Sequence, residues 1–281
     1  MGSEVITDEQ GLRFRVRDTL FRQLTADSTS RKTTHEEVLI LKSPNFLRKY
    51  DRVFSSLPVP HVLEFGIAEG GSILYFAQAF PHYKYVGIDL RDPNEALLDH
   101  IRRLGLQERV KLYYNVDQSD ERAVNDIINS NFGSERIGCI IDDASHMYKP
   151  SRLTFEHTFG RVAAGGIYCL EDWSWAHEAG PYQSTQWTDQ PALTNLVFEL
   201  VMLMPSTRGL IDDIFIDFNV AFIKRGGQPP APIDLTSMIV SRGKSESAEL
   251  HVVDVSRCSA TICARAREVP HLGGRDFERG H

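Results

Sequence analysis

Two acidic motifs contain the side chains of this chain that are best suited to chemistry. The motif IDDASH at 141–146 and the motif LEDW at 170–173 each end a strongly apolar run. If these runs are neighbouring strands, the four carboxylates of Asp142, Asp143, Glu171 and Asp172 crowd one small site, where repulsion forces proton uptake unless a cation is bound. Oxygen ligands favour a hard ion, Mg²⁺ first, with Mn²⁺ or Ca²⁺ as alternatives.

His146 follows Asp143 by three residues, so that it is a candidate general base beside the metal. An aliphatic alcohol is a poor nucleophile, and a neutral imidazole next to a metal-activated hydroxyl can accept its proton. The alternative is that Asp142 or Asp172 caps the element that follows it and that His146 is an ordinary loop residue.

A glycine-rich turn follows the first apolar strand and reads EFGIAEGGS at 64–72. Its pattern, E-x-G-x-x-x-G-G, differs from the dinucleotide fingerprint G-x-G-x-x-G and disfavours NAD. The next strand ends in Asp89, an acid that can accept the hydroxyls of an adenosine ribose. Asp117 and Gln118 follow the third strand, so three polar strand ends meet at one edge of the predicted sheet.

These features resemble the class I S-adenosylmethionine-dependent methyltransferases. The resemblance implies that the methionine part lies beside the glycine-rich turn, that Asp89 binds the ribose and that Asp117 and Gln118 border the adenine. The cofactor-binding set predicted in this way is Glu64, Gly66, Gly70, Ser72, Asp89, Asp117, Gln118 and Asp142.

The acidic motifs are similar to those of the metal-dependent sugar O-methyltransferases of macrolide biosynthesis, the mycinamicin and tylosin type. The resemblance implies that Asp143, Glu171 and Asp172 hold the metal and that His146 is the base. The predicted catalytic residues are His146 and Asp143. Catechol O-methyltransferases have a similar acid spacing, but lysine takes the base position and asparagine the last metal position. The residues present here, His146 and Asp172, therefore favour sugar acceptors.

The segment WSWAHEAGPYQSTQWTDQ at 173–190 contains all three tryptophans of the chain. Aromatic faces stack on sugar rings, so the segment is a candidate lid over the acceptor, with Trp173, Trp175 and His177 as its candidate members. The alternative is a connecting loop packed on the sheet edge.

The predicted secondary structure that carries these residues is of the α/β class. Apolar strands alternate with helices from residue 60 onward, which predicts a doubly wound, mostly parallel sheet of seven strands ending in an antiparallel hairpin. Leu12, Val16, Leu20 and Leu24 recur every fourth residue and predict helices. We expect an N-terminal helical layer at 1–57, a methyltransferase core at 58–225 and a C-terminal extension with a small β-hairpin at 226–281.

The composition of the chain makes some classes of function less favourable than others. The chain has 281 residues, 42% of them hydrophobic, and a net charge of −7, which predict a large core and disfavour nucleic-acid or membrane partners. It lacks an apolar leader, so we expect a cytoplasmic enzyme, as a homo-oligomer by the resemblance. The predicted function is Mg²⁺-dependent methylation of a hydroxyl on a natural-product glycoside or a hexose. Methylation of catechols or other phenols, and cofactor binding without catalysis, are the alternatives.

Overall fold

The computed structural model describes residues 5–8, 11–24, 31–183, 186–229 and 231–241. Within them the chain forms a small N-terminal sheet and a large central sheet flanked by helices. The C-terminal hairpin that was predicted near 250–266 lies outside the described residues. None of the described helices has both the length and the hydrophobicity that a membrane span needs.

The N-terminal sheet replaces the predicted first helices. Its strands are β1 (Val5–Asp8), β2 (Gly11–Val16), β3 (Thr19–Gln23) and β4 (Val38–Ile40), and only β3 and β4 pair in parallel. The prediction of helices over 9–24 was wrong because a four-residue repeat is also a multiple of the two-residue repeat of a strand. Leu12, Phe14 and Val16 alternate with arginines, and a turn with Arg17 at φ 51° starts the return strand.

Helix α1 (Pro44–Phe54) follows β4 and is the one helix of the N-terminal layer among the described residues. Ser43 caps it by accepting a hydrogen bond from the backbone N–H of Phe46, and a proline occupies its first turn, where no intrahelical donor is needed. The buried face of the helix consists of Phe46, Leu47, Tyr50 and Phe54.

The central sheet confirms the predicted fold class. Its strands are β5 (His61–Phe65), β6 (Lys84–Ile88), β7 (Val110–Tyr113), β8 (Ile137–Asp142), β9 (Val162–Glu171), β10 (Ile211–Ile216) and β11 (Val220–Arg225). Their order is β10-β11-β9-β8-β5-β6-β7, with β5 to β9 parallel and β10 and β11 antiparallel at one edge. The site can therefore form at the carboxyl ends of the parallel strands, where the strand order reverses.

Helices cover both faces of this sheet. They are α2 (Gly71–Ala79), α3 (Glu95–Arg103), α4 (Glu121–Phe132), α5 (Tyr148–Thr158), α6 (Thr194–Thr207) and α7 (Leu235–Met238). Successive strand residues belong to different cores: Val62 lies in the core that contains buried residues of α1, α2 and α3, and Leu63 lies in the core that contains those of α4, α5 and α6. This double burial explains why the strands are apolar throughout.

Candidate active site

A cleft of about 420 Å³ lies over the carboxyl ends of β5, β6, β8 and β9. Its lining combines residues from the glycine-rich turn, from both acidic motifs and from the segment after β4. The lining includes Lys42, Gly66, Ala68, Glu69, Asp89, Asp143, His146, Glu171, Asp172, Trp175 and Asn219. The two acidic motifs and the glycine-rich turn therefore meet in one cavity.

The glycine-rich turn depends on Gly66 and Gly70 for its shape. Gly66 has φ +88°, and a Cβ added there would lie 2.0 Å from the backbone oxygen of Asp143. Gly70 has φ +82°, and a Cβ there would lie 2.3 Å from the side chain of Leu97. Both positions require glycine because a side chain would collide with a neighbouring element. The turn brings the end of β5 against the first acidic motif.

Asp89 lines the cleft at the end of β6, as predicted, and it also holds the turn in place. Its carboxylate accepts hydrogen bonds at 2.8 Å from the backbone N–H of Ala68 and at 2.8 Å from that of Arg91. Glu69 fastens the N-terminal segment over the same turn, since its side chain accepts from the N–H of Thr33 at 2.8 Å and from Asn94 at 3.0 Å. Two acids thus order the rim of the cleft.

Glu64 and Ser72 lie beneath the cleft and bond to each other. The Ser72 hydroxyl donates to the Glu64 carboxyl group, and both side chains are buried. Burial raises the pKa of Glu64 to about 7, although the nearby Lys42 ammonium opposes that rise. A group with such a pKa changes charge near neutral pH.

Asp143, His146 and Asp172 converge at the base of the cleft. One ligand atom of each lies within 4.8 Å of those of the other two, which is the spacing of a metal site. His146 Nε2 lies 4.0 Å from an oxygen of Asp143, and His146 Nδ1 lies 3.9 Å from an oxygen of Asp172. The structure thus brings together three residues that the sequence predicted for the site.

His146 and Asp172 both have left-handed backbones, with φ 54° and 57°. Non-glycine residues in this region carry a strain of about 1–3 kcal/mol, which is found most often at functional sites. The Asp172 N–H donates to the backbone oxygen of Asn219 at 2.6 Å, so the loop after β10 helps to hold this conformation.

Lys42 is a component of the cluster that the sequence analysis missed. Its ammonium group donates to Asp143 at 2.5 Å and to Glu171 at 2.9 Å. The other oxygen of Glu171 accepts a hydrogen bond from the buried Tyr50 hydroxyl. Lys42 therefore links Glu171 to the cluster, because its ammonium group contacts both Glu171 and Asp143, which are two of the predicted metal ligands.

The electrostatics of the cluster follow from its burial. Burial, and then the neighbouring charge of Asp143, raises the pKa of Asp172 to about 8, and the same two causes raise the pKa of Glu171 well above its ordinary value. Burial also lowers the pKa of His146, against the pull of Asp143. The imidazole is consequently neutral at pH 7, the form that a general base needs.

Asp142 and Gln118 face the other side of the sheet. The Asp142 carboxylate accepts hydrogen bonds from Gln118 at 3.0 Å and from the Tyr168 hydroxyl at 2.9 Å. Gln118 also donates to Thr154 at 2.9 Å and accepts from the N–H of Ser145 at 2.9 Å. This buried network ties helix α5 and the loop that carries His146 to the end of β8.

Asp117, the remaining predicted cofactor residue, is exposed at the start of a turn. Its carboxylate accepts hydrogen bonds from the backbone N–H of Ser119 at 2.8 Å and from the Ser119 hydroxyl at 2.7 Å. Neither Asp117 nor Gln118 is among the described residues that line the cleft. The assignment of these two residues to adenine stays a prediction.

The candidate lid residues occupy three different environments. Trp175 lines the cleft, with its ring centroid 4.3 Å from that of His146 and 4.2 Å from that of Tyr182. Trp173 donates to the backbone oxygen of Asp217 at 3.1 Å and packs on the core. His177 lies 2.7 Å from the Thr194 hydroxyl and fastens the segment to α6. Of these three residues, only Trp175 lines the cleft.

Comparison with known proteins finds similarity to methyltransferases. Residues 63–173 match the family model of a methyltransferase domain. A mycinamicin VI 2''-O-methyltransferase from Micromonospora griseorubida is 28% identical over 205 residues, which are 64% of this chain and 48% of that protein. The chain thus spans about half the length of this curated relative.

Solved structures give the same result for the fold. The MycE methyltransferase of mycinamycin biosynthesis, in complex with Mg, SAH and mycinamycin VI, is 25% identical with a TM-score of 0.50, over 64% of this chain and 49% of that one. A Staphylococcus aureus protein assigned as a caffeoyl-CoA O-methyltransferase is 16% identical with a TM-score of 0.50, over 67% of this chain and 86% of that one, and shows the fold alone.

The strand order, the glycine-rich turn and the acidic cleft agree with these similarities. Residues 63–173 match a methyltransferase domain, the central sheet has the Rossmann-like fold of the class I methyltransferases, and 64% of the chain is similar to a mycinamicin VI 2''-O-methyltransferase.

Proposed function

We propose that this protein transfers a methyl group from S-adenosylmethionine to a hydroxyl group of a sugar, either on a natural-product glycoside or on a hexose, with the help of a divalent ion such as Mg²⁺. The observation that carries the proposal is the convergence of Asp143, His146 and Asp172 in a cleft that also contains Gly66 and Asp89. The cleft thus joins a candidate cofactor rim to a candidate metal and base cluster.

The donor set of the cluster fits a divalent ion. Asp143 and Asp172 have ligand atoms within 4.8 Å of each other and of His146, and Glu171 already shares a cation, the Lys42 ammonium, with Asp143. Asp143, Glu171 and Asp172 would hold the ion, since hard ions prefer carboxylate oxygens. When bound, the ion supplies Lewis acidity, which lowers the pKa of a hydroxyl next to it.

The other residues of the cleft orient the reactants and move the proton. His146 accepts the proton of the acceptor hydroxyl, because burial keeps its imidazole neutral. Asp143 and Asp172, each about 4 Å from the ring, stabilise the imidazolium that results. The transferred methyl group comes from the sulfonium of the cofactor, whose ribose hydroxyls Asp89 would bind at the rim of the cleft.

Trp175 and the acidic cluster favour a sugar as the acceptor. The Trp175 ring borders both the cleft and His146, and an aromatic face of this kind stacks on the apolar face of a sugar ring. Similarity to a mycinamicin VI 2''-O-methyltransferase, an enzyme named for methylation of a 2''-oxygen, supports an alcohol acceptor. Two adjacent hydroxyls facing the acidic cluster would fix which oxygen approaches the methyl group.

A methyl-transfer assay with labelled S-adenosylmethionine tests this function. The acceptors are mycinamicin VI, a series of methyl hexosides and, as the phenolic alternative, catechol, each assayed with Mg²⁺, with EDTA and with EDTA followed by excess Mg²⁺. We expect label in a glycoside or hexoside, lost with EDTA and restored by Mg²⁺. Methylation that survives complete removal of divalent ions would contradict the metal requirement, and preference for catechol would contradict the sugar acceptor.

A further inference from the structure

Lys42 reaches the acidic cluster from outside the methyltransferase core. It lies between β4 and α1, in the apolar run LILKS, and its side chain is 7% exposed. A buried lysine in such a run requires acidic partners, because burial of an unpaired ammonium carries a large free-energy penalty. Strand β4, which pairs with β3, and the capped start of α1 fix its backbone on both sides.

The ammonium of Lys42 occupies the space between two of the proposed metal ligands. Its contacts at 2.5 Å with Asp143 and at 2.9 Å with Glu171 are hydrogen-bonding distances. Lys42 therefore places its ammonium group against one oxygen of each of these two carboxyl groups.

We propose that Lys42 is an internal cation that competes with the divalent ion for the carboxylates of Asp143 and Glu171 and releases them when the ion binds. This inference rests on the metal-dependent function proposed above. The carboxylate oxygens that bind the ammonium group cannot offer the same lone pairs to a metal, and the two cations repel each other at so short a distance. The long, flexible stem of lysine lets the ammonium group withdraw into the cleft that it already lines.

Such an exchange gives Asp143 and Glu171 a cationic partner in both forms of the site. With Lys42 in place, the two side chains share its ammonium group. With the divalent ion in place, the same acids become its ligands. The consequence is that the affinity for the ion is lower than the carboxylates alone would give.

Binding of Mn²⁺ alone, followed by electron paramagnetic resonance, tests the competition. The variants are Lys42→Met, which keeps most of the apolar stem but removes the charge, and Lys49→Met as a matched control. Lys49 lies on α1 and pairs with Asp217 at 2.8 Å, outside the cluster. We expect Lys42→Met to lower the dissociation constant for Mn²⁺ by at least about tenfold, and Lys49→Met to leave it unchanged.

Thermal unfolding with EDTA and with saturating Mn²⁺ provides a second measurement. Lys42→Met leaves Asp143 and Glu171 without their ammonium partner, so it should melt lower than the wild type in EDTA and gain more from Mn²⁺. A Lys42→Met protein that folds only when Mn²⁺ is added would support the proposal in the same way.

Three results would contradict the proposed competition between Lys42 and the divalent ion. A folded Lys42→Met variant that binds Mn²⁺ no more tightly than the wild type would overturn the competition and leave the proposed function intact. If Lys49→Met increased the affinity for Mn²⁺ by the same factor, the loss of one positive charge from the protein would explain both results. That outcome would also overturn the competition. Absence of Mn²⁺ binding in every variant, the wild type included, would instead reject the metal-dependent function together with this inference.

Discussion

Two adjacent aspartates at the end of β8 have opposite surroundings. Asp142 is 2% exposed and accepts hydrogen bonds from neutral donors, Gln118 and Tyr168, on the side of the sheet that α5 covers. Asp143, one residue later, faces the cleft, where it contacts Lys42 and lies about 4 Å from His146. Successive side chains at a strand end point to opposite faces of the sheet. The motif IDDASH therefore places one aspartate on the side that α5 covers and the next one in the cleft.

This difference indicates that the two aspartates of the motif have different roles. The Asp142 side is a closed network in which the polar atoms of Asp142 and Gln118 have protein partners, and burial raises the pKa of Asp142 to about 6. The Asp143 side gathers acids around a cation in a cleft open to ligands. We infer that Asp142 fixes the loop that carries His146, and that Asp143 and His146 carry the chemistry.

The largest expected effect concerns the Asp143 side. His146→Ala should lower kcat by about 10²- to 10⁴-fold, since the general base is lost, while S-adenosylhomocysteine binds as before. Methyl-transfer kinetics and calorimetry measure the two quantities. Ordinary turnover in this variant would refute the base assignment.

A smaller effect is expected on the Asp142 side, and it should concern stability. Tyr168→Phe removes the hydroxyl that donates to Asp142 at 2.9 Å and leaves a buried carboxylate oxygen short of one donor. We expect a loss of about 1–3 kcal/mol in the free energy of unfolding, measured by urea denaturation. The division of roles would be wrong if this variant kept its stability and lost its activity as His146→Ala does.

The smallest effect is a pH dependence at Glu64, whose buried carboxyl group bonds to Ser72 beneath the cleft. Its folded pKa of about 7 exceeds the ordinary 4.5, so its contribution to stability is present below about pH 4.5 and is lost as the pH rises through 7. Glu64→Gln cannot ionise, and its stability relative to the wild type should rise by about 1 kcal/mol between pH 5 and pH 6, where the unfolded carboxyl group is ionised and the folded one is not. Urea denaturation of both proteins at the two pH values measures this change, and parallel pH curves would contradict the raised pKa.

Much of the fold could be predicted from sequence because the parallel strands are buried on both faces. Apolar runs such as 137–142 alternate with helices, and the few residues between β10 and β11 allow only an antiparallel hairpin. The N-terminal strands were missed because their apolar residues recur at an interval that suits a helix and a strand equally well. The pairing of these strands depends on contacts between separate segments of the chain, which a local sequence pattern does not show.

The site was predictable where it depends on strand ends. Asp143, His146 and Asp172 follow directly from the two acidic motifs, and the structure brings them together. Lys42 and Tyr50 could not be placed in the same way, because they reach Glu171 from more than 120 positions away along the chain, through the packing of the N-terminal layer. A charged residue inside the apolar run at 38–42 was the one local sign that a buried partner was needed.

Divalent-ion binding on the Asp143 side of the sheet can be observed by anomalous diffraction from a crystal soaked in Mn²⁺. We predict a single strong anomalous peak between the carboxylates of Asp143, Glu171 and Asp172, with the Lys42 ammonium displaced from it. A map without such a peak, in which Lys42 still bridges Asp143 and Glu171, would contradict the account.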